Sequence, residues 1–492
     1  MSASAIGTKI LDNSRSGEPK ISDAVLLTAA QLSRAVLRLL FILVVARKLG
    51  PESFGIYTLI LAITEIIAVV SGIGYGDYLT REAAKDERVG WGVGAQLTWL
   101  RIAYGLPLTA AGLIILWLLG YPRFVLFATA GMSLTLASRS VTECVQGLLR
   151  GVGKNRGYLA VDLISGLVLL GGAGLVLANG GRLYFVVATE VLAGAAAGVV
   201  ALVLAARHRT QVRIQLSWSA LVKRSAIFNI YPLVMNLYDR VDVLLLSKLA
   251  GDYATGVYGA AYRPISAVQL LPYGILYSLL PTLSRDKCSQ SGQQRLERAM
   301  SLLLSAAFFI VLATSVFADA GVPFMLGGRF AESAAALKIL IWAVVLRYMN
   351  YAMNMGLLAV GREHVFVLTS LLCLAMNLVG NLVFIPMFSW RAAAVLTILT
   401  ELVLLAQNAY WLSQTLGRVP KPVGLFRVSM VFGALLVVIF AAKRIETPLA
   451  VGSACLVIFL AYLYWSGLMR EFMAVWQTGE SVGAGAMEGG RS

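Results

Sequence analysis

Long apolar segments fill most of this chain, and they restrict its fold more than any other feature of the sequence. Hydrophobic residues make up 59% of the 492 positions, and 13% are charged. A segment of about 18 or more apolar residues can cross the hydrocarbon of a bilayer as a helix. Because backbone groups in hydrocarbon must bond internally, such spans are α-helical. We predict an all-α polytopic membrane protein with about fourteen transmembrane helices, at residues 24–46, 54–76, 92–118, 123–149, 157–178, 183–206, 225–248, 257–281, 299–318, 335–359, 365–387, 392–413, 424–442 and 448–467.

The charge and cysteine content argue against the main soluble classes. The chain has 41 Lys and Arg against 25 Asp and Glu, a formal charge of +16. In a soluble protein this excess favours nucleic-acid binding. Here the basic residues mostly lie between apolar segments, as they do in the cytoplasmic loops of membrane proteins. The four cysteines form no CxxC pair, so we expect no zinc site. We also expect no other metal, no cofactor and no nucleic-acid partner.

The distribution of basic residues sets the expected orientation. With a cytoplasmic N-terminus, the cytoplasmic loops hold more than twice as many Lys and Arg as the opposite loops. This asymmetry predicts a multi-pass protein of the cytoplasmic (inner) membrane with both termini in the cytoplasm. Residues 1–20 are polar and no small-residue cleavage site follows, so we expect no cleaved signal peptide. The Gly-, Ala- and Glu-rich residues 479–492 are expected to be disordered.

The two halves of the chain share an internal repeat. Six short motifs recur in the same order, at offsets between 200 and 211 residues. The first copies are Lys48-Leu49, Gly55-Ile56-Tyr57, Arg81-Glu82, Gly147-Leu148-Leu149, Gly153-Lys154 and Thr189-Glu190; the second copies are Lys248-Leu249, Gly256-Val257-Tyr258, Arg285-Asp286, Gly356-Leu357-Leu358, Gly361-Arg362 and Thr400-Glu401. Six spans in each half predict two parallel pseudo-symmetric lobes, with two C-terminal helices outside the repeat. The predicted divisions are an N-terminal tail, the N-lobe, a linker, the C-lobe, helices 13 and 14, and a C-terminal tail, at residues 1–23, 24–206, 207–224, 225–413, 414–467 and 468–492.

Several of these motifs resemble a known family of membrane transporters. The opening segment resembles the polysaccharide (O-antigen, or Wzx-type) flippases through Leu26, Arg47-Lys48-Leu49-Gly50, Phe54-Gly55-Ile56-Tyr57, Gly72-Ile73-Gly74 and Thr80-Arg81-Glu82. The second half resembles the same family through Ala359-Val360-Gly361-Arg362, Asn377, Asn381, Ile385-Pro386 and Thr400-Glu401. The resemblance covers about residues 20–470, and the family belongs to the MATE-like (MOP) exporter superfamily, which also holds the lipid II flippases.

This resemblance carries expectations about function. It implies a two-lobed bundle with a central cavity that carries an undecaprenyl- or dolichyl-linked oligosaccharide between leaflets by alternating access, for surface glycan biosynthesis. The expected partners are the lipid-linked oligosaccharide, membrane lipids and glycan polymerase or ligase machinery, and the chain is expected to work as a monomer. No catalytic residue comes with the resemblance, because its motifs lie in loops and packing positions.

Seven arginines lie inside predicted spans, and they need an explanation. They are Arg34, Arg38, Arg101, Arg139, Arg240, Arg263 and Arg347. One such residue near the membrane midplane costs about 2.5–3.5 kcal/mol, so seven facing lipid would cost on the order of 20 kcal/mol. They must therefore face protein or a wet cavity. Arg101 and Arg139 are expected to be structural, and the i, i+4 spacing of Arg139 and Glu143 suits a local ion pair.

Helical spacing groups the other polar residues into stripes. Gln31, Arg34 and Arg38 share one face of helix 1, and Arg347, Asn350 and Asn354 repeat the pattern in helix 10. Such stripes either line a cavity or join helices through interhelical hydrogen bonds. A guanidinium offers a bidentate fork to phosphate oxygens. The expected head-group contacts of a polyprenyl pyrophosphate cargo are Arg34, Arg38, Arg240, Arg263 and Arg347, with Gln31, Asn350 and Asn354 as further cavity candidates.

Acidic residues in the spans are candidates for ion coupling. Asp239 and Asp242 lie at i and i+3 of helix 7, where they could bind a proton or sodium ion, or only neutralise Arg240. Glu190 and Glu401 occupy equivalent repeat positions, which also favours a packing role common to both lobes.

Two rival functions predict different essential residues. A cation-coupled multidrug exporter of the same fold would need carboxylates rather than arginines. A glycan polymerase or membrane glycosyltransferase would need a sizeable loop for acid and base residues. The longest predicted outer loop, 319–334, has Asp319, Arg329 and Glu332 as its charged residues. We therefore expect a transporter and no enzyme.

Overall fold

The computed structural model describes residues 21–72, 75–207, 217, 221, 230–269, 271–285, 289–362, 364–442 and 448–467. Throughout these ranges the regular elements are helical. The helices are α1 Ile21–Gly72, α2 Tyr75–Lys85, α3 Glu87–Leu118, α4 Arg123–Ser133, α5 Thr135–Gly151, α6 Asn155–Ala178, α7 Leu183–Arg207, α8 Ile230–Leu249, α9 Gly251–Val268, α10 Leu271–Arg285, α11 Gln290–Leu326, α12 Ala331–Ala359, α13 His364–Phe388, α14 Trp390–Leu416, α15 Leu425–Ala442 and α16 Pro448–Trp465, with a 3₁₀ turn at Gly328–Phe330. The prediction of an all-α membrane protein is confirmed. The predicted tails and most of the linker 207–224 lie outside the described residues.

Nine stretches in the described ranges are long and apolar enough to cross a membrane. The stretch Ser33–Lys85 overlaps the first predicted span, 24–46, and contains the second, 54–76. Predicted spans 225–248 and 335–359 overlap α8 and α12, which each carry at least three charged residues. Predicted span 257–281 is divided between α9 and α10. The chain is a multi-pass membrane protein in which the polar helices are interspersed among apolar ones.

Local backbone geometry moves several predicted boundaries. Gly50 has φ 75° and is followed by Pro51, so α1 breaks there without an intervening loop. Pro lacks an N–H and cannot continue the hydrogen-bond ladder of the preceding turn, whereas Gly tolerates positive φ. Predicted helix 4 divides at Leu134 into α4 and α5. The third predicted helix begins earlier than expected, at Glu87, because the carboxylate of Asp86 caps it by accepting from two backbone N–H groups.

The first compact unit comprises the described residues within 1–48 and 63–233. Here α6 packs along α7, and α5 contacts α2, α3 and α7. One of its cores contains buried aromatic and aliphatic side chains from α2, α3 and α5, including Tyr78, Leu97 and Leu148. Close approach is possible because Gly147 and Gly151 face α2: a Cβ on Gly147 would lie 2.6 Å from the carbonyl oxygen of Gly76.

The second compact unit comprises the described residues within 49–62 and 234–492. Here α12 packs against α11 and α14, and α13 packs against α14. The two helices outside the predicted repeat, α15 and α16, pack on α11. The rings of Phe308 and Phe432 stack with centroids 4.0 Å apart, and Gly452 lies against Val316. The predicted lobe boundaries remain predictions, although residues 49–62 group with the second unit.

A reciprocal glycine contact joins the 51–62 part of α1 to α9. A Cβ on Gly55 would lie 1.9 Å from the carbonyl oxygen of Asp252, and a Cβ on Gly256 would lie 1.9 Å from that of Pro51. Gly55 and Gly256 are equivalent repeat positions, and Pro51 and Asp252 have the same separation along the chain. Each helix therefore presents an equivalent glycine and an equivalent carbonyl group to the other, which is the pattern of an isologous contact about a twofold axis.

Alanine substitution tests this crossing with the smallest possible change. Gly55→Ala and Gly256→Ala should each lower the thermal midpoint of the detergent-purified protein by several degrees, because overpacking costs about 1–3 kcal/mol. Gly433→Ala in α15, where nothing lies within 4 Å, should be neutral or stabilising, because Ala favours helix over Gly by about 1 kcal/mol. Equal behaviour of all three variants would contradict the contact.

Candidate functional site

Arg347 lies at the centre of a buried ion-pair network in the second unit. Its Nε donates to Oε1 of Glu401 on α14 at 2.7 Å, and its Nη2 donates to Oδ1 of Asp239 on α8 at 3.0 Å. Asn350, one turn later on α12, donates from Nδ2 to Oε2 and to the backbone oxygen of Glu401, at 2.9 and 3.0 Å. Asn408 in turn donates to Oδ1 of Asn350 at 3.1 Å. The i, i+3 spacing on α12 thus directs both polar side chains toward one glutamate.

This network holds the Arg347 guanidinium firmly. The side chain is 5% exposed, and an arginine buried in this way is stable only when carboxylates and hydrogen bonds replace its water. The guanidinium of Arg347 thus pairs with two carboxylates, one from α8 and one from α14. In this conformation Arg347 joins three helices rather than presenting an open fork to a ligand. Asn354, the third residue of the predicted stripe, lies outside the network and is half-buried.

Asp242 forms a second buried cluster, built from neutral groups. Tyr258 on α9 donates its hydroxyl to Oδ2 at 2.6 Å, and Thr397 on α14 donates to the same oxygen at 3.2 Å. Asn381 on α13 donates from Nδ2 to Oδ1 at 2.7 Å and also to Oδ1 of Asn377 at 2.7 Å. Asp242 is 3% exposed. Within the described ranges no Lys, Arg or His pairs with it, so its negative charge is solvated by dipoles alone.

The two aspartates of α8 therefore play different parts. Asp239 bonds Arg347, and Tyr262 donates to its Oδ1 at 3.4 Å. Asp242, one turn later, points to the neutral cluster. Both Arg240 on α8 and Arg263 on α9 are half-buried, and the guanidinium of Arg263 lies 5.7 Å from the ring centroid of Phe54.

In the first unit, α1 presents two arginines to two carboxylates. Arg38 donates from Nη1 to Oε2 of Glu190 on α7 at 2.7 Å. Nη1 of Arg34 lies 3.7 Å from Oδ1 of Asp162 on α6, and Gln146 on α5 donates to the same oxygen at 2.9 Å. The side chain of Gln31, the first residue of this predicted stripe, lies outside the described part of the structure.

Arg101 is a structural arginine, as its sequence position suggested. It is 4% exposed, pairs with Glu143 on α5 and donates from Nη2 to the carbonyl oxygen of Ala68 at 3.1 Å. The predicted local pair of Arg139 with Glu143 is wrong, because Glu143 forms its ion pair with Arg101 of the neighbouring helix α3. A fully buried guanidinium has more to gain from the carboxylate than the half-buried Arg139 has.

The repeat-equivalent glutamates each bind an arginine, but from different helices. Glu190 binds Arg38 of α1, whereas Glu401 binds Arg347 of α12. The expectation that both contribute to packing agrees with these contacts; a role of either in ion coupling stays a prediction.

Four residues of these clusters are not among the site residues predicted from the sequence: Asp162, Gln146, Tyr258 and Thr397. Asn377 and Asn381 are among the residues that carry the family resemblance, and their i, i+4 spacing is typical of one polar helix face. The other partners come from separate helices, so no spacing in the chain could have joined them.

Comparisons with known proteins agree with this architecture. A curated relative, the probable low-salt glycan biosynthesis flippase Agl15 of Haloferax volcanii, is 23% identical over 408 residues, covering 79% of this chain and 83% of the relative. The structure is similar to that of the lipid II flippase MurJ in an inward closed conformation, with a TM-score of 0.67, 12% identity and coverage of 91% of this chain and 100% of that one. It is also similar to an inward-facing MATE multidrug resistance transporter of the MOP superfamily, with a TM-score of 0.63, 15% identity and coverage of 80% and 98%.

The low identities to the solved structures establish the fold alone. The family relationship is established by a family profile, that of the polysaccharide biosynthesis proteins, which matches residues 21–286. The match spans more than half of the chain and contains the first copy of the internal repeat. This chain belongs to the polysaccharide biosynthesis protein family.

Proposed function

We propose that this protein flips a polyprenyl-(pyro)phosphate-linked oligosaccharide across the cytoplasmic membrane by alternating access, for the assembly of a surface glycan. The observation that carries the proposal is the set of arginines within the helices of a polysaccharide biosynthesis family member. The name of its Haloferax relative supports the same transport step, and the fold is that of a lipid II flippase. The chain is accordingly a transporter rather than an enzyme.

Arginine suits the part of this cargo that is hardest to move. A pyrophosphate carries several negative charges, which hydrocarbon strongly disfavours. A guanidinium stays charged at any physiological pH and binds two phosphate oxygens in a planar fork. Arg34, Arg240 and Arg263 are less buried than Arg347, so more of each side chain is accessible to a ligand. Arg38 and Arg347 would have to leave their carboxylates first.

Arginine substitution tests the cargo assignment. In proteoliposomes, Arg240→Gln/Arg263→Gln should reduce flipping of a polyprenyl pyrophosphate-linked oligosaccharide at least tenfold, since a charge-assisted hydrogen bond is worth about 1.5–3 kcal/mol. Arg418→Gln is the matched control, because Arg418 is half-exposed and pairs with Glu297 near the ends of α14 and α11. Undiminished flipping, together with uptake of lipophilic cations that depends on carboxylates, would support the drug-exporter alternative.

We also propose that Asp242 binds the coupling cation, a proton or a sodium ion. The hydroxyl oxygens of Tyr258 and Thr397 lie 2.6 and 3.2 Å from Oδ2 of the carboxylate, and oxygen ligands suit a hard cation. A buried carboxylate with only neutral donors gains free energy when a cation or proton cancels its charge. Asp239, Glu190 and Glu401 already have arginine partners, which makes them weaker candidates.

Asp242→Asn should separate coupling from cargo binding. The variant should lose stimulation of flipping by an imposed proton or sodium gradient, because an amide neither ionises nor carries the charge that attracts a cation. Binding of the cargo should change less than twofold. Asp319→Asn is the control, since Asp319 is mostly exposed and pairs with Lys338 outside the buried clusters. Full gradient stimulation in the Asp242 variant would contradict this assignment.

The orientation and assembly state complete the proposal. We propose that both termini lie in the cytoplasm, and the excess of Lys and Arg in one set of loops supports this orientation. We propose that the monomer is the working unit and that a glycan polymerase or ligase takes over the flipped product.

Terminal fusions test the orientation. A green fluorescent protein fused after Ser492 should fluoresce, because it folds in the cytoplasm, and alkaline phosphatase fused there should be inactive. Alkaline phosphatase inserted after Gly328 should be active. The opposite pattern would reverse the topology.

A further inference from the structure

Arg34 is held more loosely than the other arginines that face carboxylates within the helices. Arg38 and Arg347 approach their carboxylates within 2.7 Å, and Arg101 makes direct contact with Glu143. Nη1 of Arg34 lies 3.7 Å from Oδ1 of Asp162, beyond hydrogen-bond distance, and its side chain is 55% exposed. Arg34 can therefore leave its carboxylate with less loss of hydrogen bonding than Arg38, Arg101 or Arg347.

Its partner is fixed and incompletely bonded. Asp162 is 4% exposed, and its Oδ1 accepts from Gln146 at 2.9 Å. The second oxygen, Oδ2, is buried and has no hydrogen-bond partner in the part of the chain that the structure describes. A buried carboxylate oxygen without a donor is destabilising, and the nearby cation that can supply one is Arg34.

Helix packing sets the separation of this pair. Gly166, one turn after Asp162 on α6, lies against Leu37, one turn after Arg34 on α1. A Cβ on Gly166 would lie 2.3 Å from Cδ1 of Leu37. The backbone of α6 is thus in tight contact with the Leu37 side chain of α1 at this level. The Asp162 carboxylate is buried and the Arg34 side chain is 55% exposed, so the guanidinium has more room to move than the carboxylate.

We propose that Asp162 is an internal counter-ion that holds Arg34 while cargo is absent and releases it to a phosphate group of the cargo. The identity of the anion rests on the proposed function. A phosphate carries more negative charge than Asp162 and can bind the Arg34 guanidinium through two oxygen atoms. Asp162, in contrast, approaches Nη1 of Arg34 only to 3.7 Å. The carboxylate competes for the guanidinium when the cargo leaves. Asp162 is a positioning residue that acts through Arg34 and does not touch the cargo.

Residue-resolved arginine labelling tests the counter-ion role without any cargo. The full-length protein is treated with phenylglyoxal, and adducts at each arginine are timed by mass spectrometry. Asp162→Asn, which keeps an acceptor for Gln146, should raise the labelling rate of Arg34 severalfold and leave Arg38 unchanged. The mirror variant Glu190→Gln should raise the rate of Arg38 and leave Arg34 unchanged. An unchanged rate at Arg34 in Asp162→Asn overturns the counter-ion role.

A double-mutant cycle tests the exchange. Binding of a short-chain polyprenyl pyrophosphate to the protein in nanodiscs should tighten about three- to tenfold in Asp162→Asn and weaken in Arg34→Gln. The double variant should match Arg34→Gln alone. Equal tightening with and without Arg34 would show that Asp162 repels the phosphate directly, which overturns the proposal.

The two experiments also separate this inference from the proposed function. Wild-type protein that binds no pyrophosphate, while Arg34 labelling still responds to Asp162→Asn, would overturn the flippase assignment and the exchange with cargo. The same result would establish Asp162 as the counter-ion of Arg34.

Discussion

The cost of placing charge within a membrane governs much of this structure. An intramembrane arginine is tolerated when carboxylates, carbonyl oxygens or water replace its hydration. Arg101 and Arg347 meet this condition through at least two partners each from other helices. Arg38 meets it with a direct glutamate contact. Arg34 meets it partly through its own exposure. The same physical requirement thus produces a range from firmly held to exchangeable arginines.

Glycine makes this arrangement sterically possible. Gly72 lies beside Arg101, where a Cβ would be 3.3 Å from Nη2. Gly166 allows α6 to approach α1 near Arg34 and Asp162. Gly55 and Gly256 bring the backbones of α1 and α9 together at equivalent repeat positions. In membranes, where apolar side chains gain little from leaving lipid, such close backbone contact is a principal source of helix association. The glycine positions therefore determine how closely the helices that carry the charged side chains approach one another.

The fold was largely predictable from the sequence, and the pairing of its charges was not. Segment length and composition gave the helical class, and repeated motifs indicated two related halves. Gly50 and Pro51 fall between the first two predicted spans, and the structure breaks α1 at this point. The Arg347 and Asn350 stripe was correct as a face, because it depends on spacing within one helix. The partner of Glu143 and the neutral shell of Asp242 depend on how separate helices cross, and local spacing contains no information about that.

The two halves retain a common backbone pattern but differ in charge. At the 200-residue offset that relates Lys48 to Lys248, Arg34 corresponds to Val234, Arg38 to Tyr238 and Ile42 to Asp242. Both halves have a glutamate at the equivalent position. Glu190 pairs with Arg38 of α1, whereas Glu401 accepts a hydrogen bond from the hydroxyl of Tyr238 of α8 at 3.4 Å.

At these positions α1 therefore carries two arginines where α8 carries Val234 and Tyr238, and α8 carries Asp242 where α1 carries Ile42. The proposed anion-binding role suits the arginines of α1, and the proposed cation-binding role suits Asp242, because each group has the charge opposite to that of its proposed ligand. Divergence of a duplicated helix in this way would let one repeated backbone serve both proposed ligands.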